Sequence, residues 1–215
     1  MTLEPESPQA ALAETTATYD QEAADFAAYQ AKADLSAHLE EFLSHLPLNS
    51  GLIFDAGCGT GRDVAAIVAR GYACIGVDLS AGELEVAAAQ TSSSLASWLV
   101  ADLRHIPFNN GCARGIWTVA ALLHLDPAGQ AHALREFKRL LSPGGALFIS
   151  TLDGPGNSMR TSVEGHRRWF WGTSVEILSG ELEVLGFTIV SAEAENTGFG
   201  HWVTVLALAP GLVEE

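Results

Sequence analysis

Basic residues are scarce: 11 Lys and Arg stand against 26 Asp and Glu in 215 residues, a formal charge of -15. Affinity for nucleic acid comes mostly from Lys and Arg neutralising phosphates, so this balance argues against DNA, RNA and anionic membrane surfaces as partners. Cysteines are few as well. Cys58, Cys74 and Cys112 form no C-x-x-C pair and stand at no spacing to histidine that builds a zinc site. They read as reduced thiols of a cytoplasmic protein, with no metal expected. No window approaches the roughly 20 apolar residues that a membrane helix needs. Met1 to Pro8 carries no positive residue ahead of an apolar stretch, so a secretory leader is not expected there. Internal repeats and low-complexity tracts are also lacking.

What is present suits a folded domain. Hydrophobic residues make up 48% of the chain and charged ones only 17%, enough to bury a sizeable core. Residues 1–48 read as a short tail followed by two helices, broken near Ala33 and Asp34, with Asp34 capping the second. Leu35, Leu39, Phe42 and Leu46 recur there at helical spacing. A turn at Asn49, Ser50 and Gly51 opens the second part, residues 49–215, where short apolar strands alternate with amphipathic helices. Strands are expected at 51–56, 72–77, 97–101, 115–121 and 146–151, and helices at 62–70, 81–90, 127–141 and 174–185. That alternation predicts an α/β fold with a mostly parallel, Rossmann-like sheet covered by helices on both faces. The last two strands, 187–192 and 202–209, are joined by too few residues for a crossover, so they should form an antiparallel hairpin. Asp153 to Gly172 reads as a long irregular loop.

One segment carries chemistry. The strand Leu52-Ile53-Phe54 runs into Asp55-Ala56-Gly57-Cys58-Gly59-Thr60-Gly61-Arg62-Asp63, and a helix starts at once. Glycines at alternate positions let the backbone turn sharply and approach a ligand, while the helix N-terminus offers free N–H groups. Asp78 ends the second strand, where a carboxylate can accept both hydroxyls of a ribose. A nucleoside-containing cofactor follows. The dinucleotide pattern G-x-G-x-x-G fits poorly, because Arg62 stands where its last glycine belongs.

Asp-x-Gly-x-Gly-x-Gly instead resembles the first motif of the class I S-adenosylmethionine-dependent methyltransferases, and the likeness runs in order from Tyr19 to Ala209. Asp102 and Leu103 match the positions after strand three that bind adenine. Ala120, Leu122, Leu123 and His124 match the segment after strand four, and Leu141-Ser142-Pro143-Gly144-Gly145 matches the turn before strand five. Tyr19, Asp20, Ala23 and Phe26 match a motif ahead of the core in small bacterial members. Many relatives carry Phe-Asp before strand four, where this chain has Ala113 and Arg114.

The resemblance implies a seven-stranded sheet with strand seven inserted antiparallel between five and six, and an N-terminal helical lid. It implies S-adenosylmethionine as cofactor, S-adenosylhomocysteine as product, and contacts from Tyr19, Asp55, Gly57, Gly59, Gly61, Arg62, Asp78, Leu79, Asp102, Leu103 and Ala120. Asp55 has a second reading as a helix cap, and Asp63 is read as meeting the helix dipole. His124 is the candidate catalytic base, with a partly buried histidine bonded to a neighbouring loop as the alternative. Arg160, Arg167 and Arg168 are three of the 11 basic residues and share one segment with Trp169. His124, Arg167, Arg168 and Trp169 are therefore the candidate acceptor contacts, which points to a small and anionic acceptor. The alternatives are methylation of RNA or protein, and a cofactor-binding regulator without turnover.

Overall fold

The computed structural model describes residues 4–30, 33–48 and 51–211. Seven strands form the main sheet: β1 (Leu52–Ala56), β2 (Cys74–Asp78), β3 (Ala96–Val100), β4 (Ala113–Val119), β5 (Leu141–Leu152), β8 (Thr188–Thr197) and β9 (Gly200–Leu208). Their order is β3-β2-β1-β4-β5-β9-β8. The first five pair in parallel, and β9 runs antiparallel between β5 and β8. This is the sheet that the resemblance implies.

Strand alternation divides the core into two layers. Phe54, Ile116, Leu147 and Val205 face α5 (Pro127–Leu140) and α6 (Val175–Val184). Their chain neighbours Ile53, Trp117, Phe148 and Leu206 face α2 (Ser36–Ser44) and α3 (Arg62–Ala69). Trp117 is fully buried, stacks on Phe148 at 4.1 Å and donates its indole N–H to Asp63 at 2.9 Å. Each fully buried large apolar side chain contributes roughly 1.5–3 kcal/mol. The Ala113-Arg114 departure is absorbed locally: Ala113 is buried, while Arg114 donates to the Pro47 carbonyl at 2.8 Å and lies over the Tyr72 ring.

Local chemistry sets the helix starts. Ser80 accepts from the Glu83 amide to open α4 (Ala81–Gln90), Asp126 accepts from Gly129 ahead of α5, and Ser174 accepts from Ile177 ahead of α6. Asp34 behaves differently from its expected cap. The first residue flanking α2 is Leu35, and Asp34 instead accepts the Ser36 N–H from one position further out. The turn expected at Asn49 and Ser50 lies outside the described residues.

Asp153 to Gly172 is not irregular. It holds a two-stranded antiparallel hairpin, β6 (Gly156–Thr161) and β7 (Arg167–Gly172), in a sheet of its own. Its apolar anchors Trp169 and Trp171 pack on Ala11 of α1 (Pro8–Gln30), a partner that local sequence cannot announce. Among the described residues, no helix is long and apolar enough to cross a membrane.

Candidate functional site

A cavity of about 360 Å³ opens over the carboxyl ends of the strands. On one side stand the β1, β2, β3 and β4 tips. The loop after β1 carries positive φ at Gly57, Gly59 and Gly61. At Gly57 the reason is close approach: a Cβ there would lie 2.1 Å from the Ala121 Cβ, at φ +79°. Asp78 ties this loop to β2. Its Oδ2 accepts the Gly59 N–H and its Oδ1 the Ser80 N–H, both at 2.9 Å. Burial pushes the Asp78 carboxyl up, against the downward pull of those amides.

Asp55 is buried, accepts from the Val64 amide in the first turn of α3, and leaves Oδ2 without a partner among the described residues. It therefore caps α3 from the strand. Burial, and then Asp63 close by, push its carboxyl well up. Asp63 does more than meet a dipole, since it holds both Arg62 at 2.8 Å and the Trp117 indole. Asp102 is partly exposed and bonded by Arg104. Against the opposing effect of burial, that guanidinium holds its carboxyl below the usual range. Ala120, after β4, is the one non-glycine with positive φ (56°) among the described residues, and its N–H is held by the Ser150 carbonyl. A non-glycine kept in that region costs of order 1–3 kcal/mol, and such strain clusters at functional sites.

The other side is built by distant segments. Helix α1 crosses the strand ends and is fixed at both flanks. Asp20 accepts from Ser80 Oγ at 2.7 Å and from the Gly82 N–H at 2.9 Å. Gly82 lets it come that close, because a Cβ there would meet the Asp20 carbonyl at 2.6 Å. Opposite, Thr18 donates to the Arg167 carbonyl and Thr15 accepts the Trp169 N–H.

Tyr19 then points at His124 from the middle of this bridge. His124 Nδ1 lies 2.8 Å from the Trp169 carbonyl, which can only accept, so Nδ1 carries the proton. Nε2 is then the acceptor, and the Tyr19 hydroxyl donates to it at 2.9 Å. Arg168 Nη1 in turn donates to the Tyr19 oxygen at 3.2 Å. Burial, opposed by the Trp169 carbonyl and assisted by Arg168 and Arg160, lowers the His124 pKa to about 4. Burial likewise raises Tyr19 to about 12. Both stay neutral near pH 7.

The structure thus brings Tyr19, Asp55, Gly57, Gly59, Arg62, Asp78, Leu79, Asp102, Leu103, Ala120, His124 and Arg168 to one cavity. Gly61 supports the loop as the residue flanking α3. Two expected acceptor contacts are not brought there. Arg167 is half exposed and paired with Glu14 at 2.7 Å. Trp169 is buried against α1, with its indole N–H on Glu14 at 2.7 Å. The reason is strand alternation: on β7, Arg168 faces the cavity, so its neighbours 167 and 169 face the other way. Sequence reasoning missed His38, Glu195 and Trp202, which line the wall made by α2 and the β8–β9 hairpin. It read no metal-type grouping, yet His38, Glu193 and Glu195 bring ligand-type atoms within 4.8 Å of one another.

This geometry agrees with what the chain is similar to among known proteins. Residues 53–145 match the model of a family described as a methyltransferase domain. That match covers 93 of the 215 residues, and over it the chain resembles a methyltransferase domain. It is 33% identical over 131 residues to the biotin biosynthesis bifunctional protein BioHC of Cellvibrio japonicus, covering 60% of this chain and 24% of that one. It is 31% identical over 125 residues to a malonyl-[acyl-carrier protein] O-methyltransferase of Yersinia pestis, covering 55% of this chain and 45% of that one. The chain therefore spans less than half the length of these relatives. Among solved structures, it superposes on the 1,6-didemethyltoxoflavin-N1-methyltransferase of Burkholderia thailandensis with a TM-score of 0.76 at 18% identity, covering 98% of this chain and 93% of that one. A methyltransferase of Methanosarcina mazei gives 0.70 at 18% identity, covering 79% and 98%.

S-adenosylmethionine, the cofactor that the sequence resemblance implies, suits the donor set. It carries a sulfonium, an ammonium and two ribose hydroxyls, and the loop side of the cavity offers the carboxylates of Asp55, Asp78 and Asp102. The orphaned Asp55 oxygen and the Gly57 cradle point the same way.

Proposed function

We propose that the chain transfers a methyl group from S-adenosylmethionine to a small-molecule acceptor that arrives already carrying negative charge, as a carboxylate or thiolate does. The observation that carries this reading is the closed chain Arg168, Tyr19, His124, Trp169, in which the one basic lone pair of His124 is already taken. A hydroxyl or protonated amine would need a proton acceptor. With a pKa of about 4, His124 would take that proton at a cost of about 4 kcal/mol at pH 7. An anionic nucleophile needs no such step.

When bound, the cofactor supplies an activated methyl group on its sulfonium. The remaining work falls to the protein's own residues. Asp78, fixed by two backbone amides, would hold the ribose; Asp102 and Leu103 would hold the adenine. Helix α1 excludes water, which strengthens every electrostatic contact beneath it. Arg168 is the cationic side chain on the acceptor side of the cavity, with its Nε unpartnered among the described residues. It would orient the acceptor while His124 positions Tyr19 and, through Tyr19, Arg168. The O-methylation of a malonyl group in the name of the Yersinia relative agrees with an acid as acceptor.

The test is incubation with methyl-tritiated S-adenosylmethionine and a panel of small acids, thiols, phenols and amines. The proposal expects label in base-labile esters, at a rate nearly flat from pH 6 to 9, or in thioethers, at a rate that follows the ionisation of the thiol itself. Transfer confined to phenols or amines, rising with an apparent pKa inside that range, would overturn it.

A further inference from the structure

The wall facing away from the glycine loop is negative and aromatic. Period-two alternation puts Glu195 of β8 on the same face as its cross-strand partner Trp202 of β9, with Thr204 on the diagonal. These three, with Phe199 from the turn between the strands and His38 from α2, line the cavity. The sheet order separates this wall from the cofactor side, because β4 and β5 stand between β9 and the β1–β3 tips.

Glu195 is held in place. Its Oε1 accepts from His38 Nε2 and from Thr204 Oγ1, each at 3.0 Å. Its Oε2 has no partner among the described residues, and the side chain is 28% exposed. A fixed carboxylate with a free oxygen, set beside an indole and a phenyl ring, has the chemistry of an organic-cation site: charge and hydrogen bonds from the carboxylate, quadrupole attraction from the ring faces. A metal ion suits it less. Glu193, the third member of the nearby His-Glu-Glu grouping, is exposed and does not line the cavity, which leaves two ligand side chains there.

We infer that Glu195, Trp202 and Phe199 form a second recognition subsite, which binds an ammonium group on the acceptor. The inference rests on the methyl-transfer reading above, and the ammonium is a handle rather than the methylated atom. With Arg168 holding an anionic group at the Tyr19 end, the cavity complements a zwitterion, so the acceptor class is an amino acid or a close derivative.

The test uses three isosteric probes, phenethylamine, 2-phenylethanol and phenylacetate, titrated with and without saturating S-adenosylhomocysteine. Binding is read from the tryptophan indole N–H signals in proton–nitrogen NMR, with the Trp202 signal assigned through Trp202→Phe. Phenethylamine should shift the Trp202 indole and bind about tenfold or more tighter than the alcohol, the range for a charged hydrogen bond. That preference should shrink with added salt in the unmodified protein. Glu195→Gln should reduce it to about twofold and leave S-adenosylhomocysteine affinity unchanged.

Equal affinity of amine and alcohol would overturn the subsite. So would an amine preference that survives Glu195→Gln, or an S-adenosylhomocysteine affinity that falls in step with amine binding. Tight binding of manganese(II) that displaces phenethylamine would assign the site to a metal and likewise overturn it. Failure of the methyl-transfer reading shows separately, as an unmodified protein that does not bind S-adenosylhomocysteine, and the probe comparison without it still reads the subsite.

Discussion

The two sides of the cavity are made in different ways. The loop side comes from consecutive short segments, in which one strand end, one turn and one helix start supply Asp55, three glycines and Arg62, and the next strand supplies Asp78. The other side is a meeting of strangers. Tyr19, His124 and Arg168 come from α1, the turn after β4 and β7, and His38 and Glu195 are 157 positions apart. The first side is tied together over short sequence distances, as by the bonds from Gly59 and Ser80 to Asp78. The second depends on α1 staying docked between α4 and β7.

The largest expected effect breaks the local side. Gly57→Val puts a branched side chain into a 2.1 Å contact at positive φ, so stability should fall by about 2–4 kcal/mol or the loop should give way. Thermal melting reads the first outcome. A loss of S-adenosylhomocysteine binding of about a hundredfold, by calorimetry, reads the second.

The next effect separates neighbours on β7. Arg168→Lys keeps the charge but loses the planar fork, and should cut kcat/KM for the true acceptor by about tenfold. Arg167→Lys alters an exposed pair with Glu14 outside the cavity and should stay within about threefold. Equal losses would mean that the alternation on β7 does not sort these residues.

A pH effect tests the distant side. The folded pKa of His124, about 4, lies below its ordinary 6.5, so the unfolded chain takes up the proton first as pH falls. Stability is thus full above pH 6.5 and is lost down to about pH 4, by about 2 kcal/mol at pH 5. In His124→Gln this part of the acid sensitivity should vanish, as urea unfolding at pH 7.5 and pH 5 would reveal. The smallest effect concerns motion. Hydrogen exchange in α1 and in the β6–β7 hairpin should slow by a few fold when S-adenosylhomocysteine binds, and unchanged exchange would refute a lid.

Legibility in the sequence follows the same division. The α4 boundaries, the β8–β9 hairpin and the loop after β1 are readable because Ser80, the short connection and the alternate glycines act within a few residues. Asp153 to Gly172 was not readable as a hairpin. Its strands are held by α1, through Trp169, Trp171 and Ala11, and no local pattern encodes that partner. Arg167 and Trp169 were grouped with Arg168 by proximity in sequence, whereas a strand sends neighbours to opposite faces. Glu195 gave no signal, because a glutamate on an outer strand ordinarily faces water.

The central claim is that the loop side holds the cofactor while the Arg168 side holds the acceptor. Calorimetric titration of S-adenosylhomocysteine into Asp78→Ala and Arg168→Ala tests it most directly. The account predicts that Asp78→Ala weakens binding by about 1.5–3 kcal/mol, roughly tenfold to a hundredfold, and that Arg168→Ala stays within about threefold of the unmodified protein. An unchanged affinity in Asp78→Ala, or an equal loss in Arg168→Ala, would contradict it.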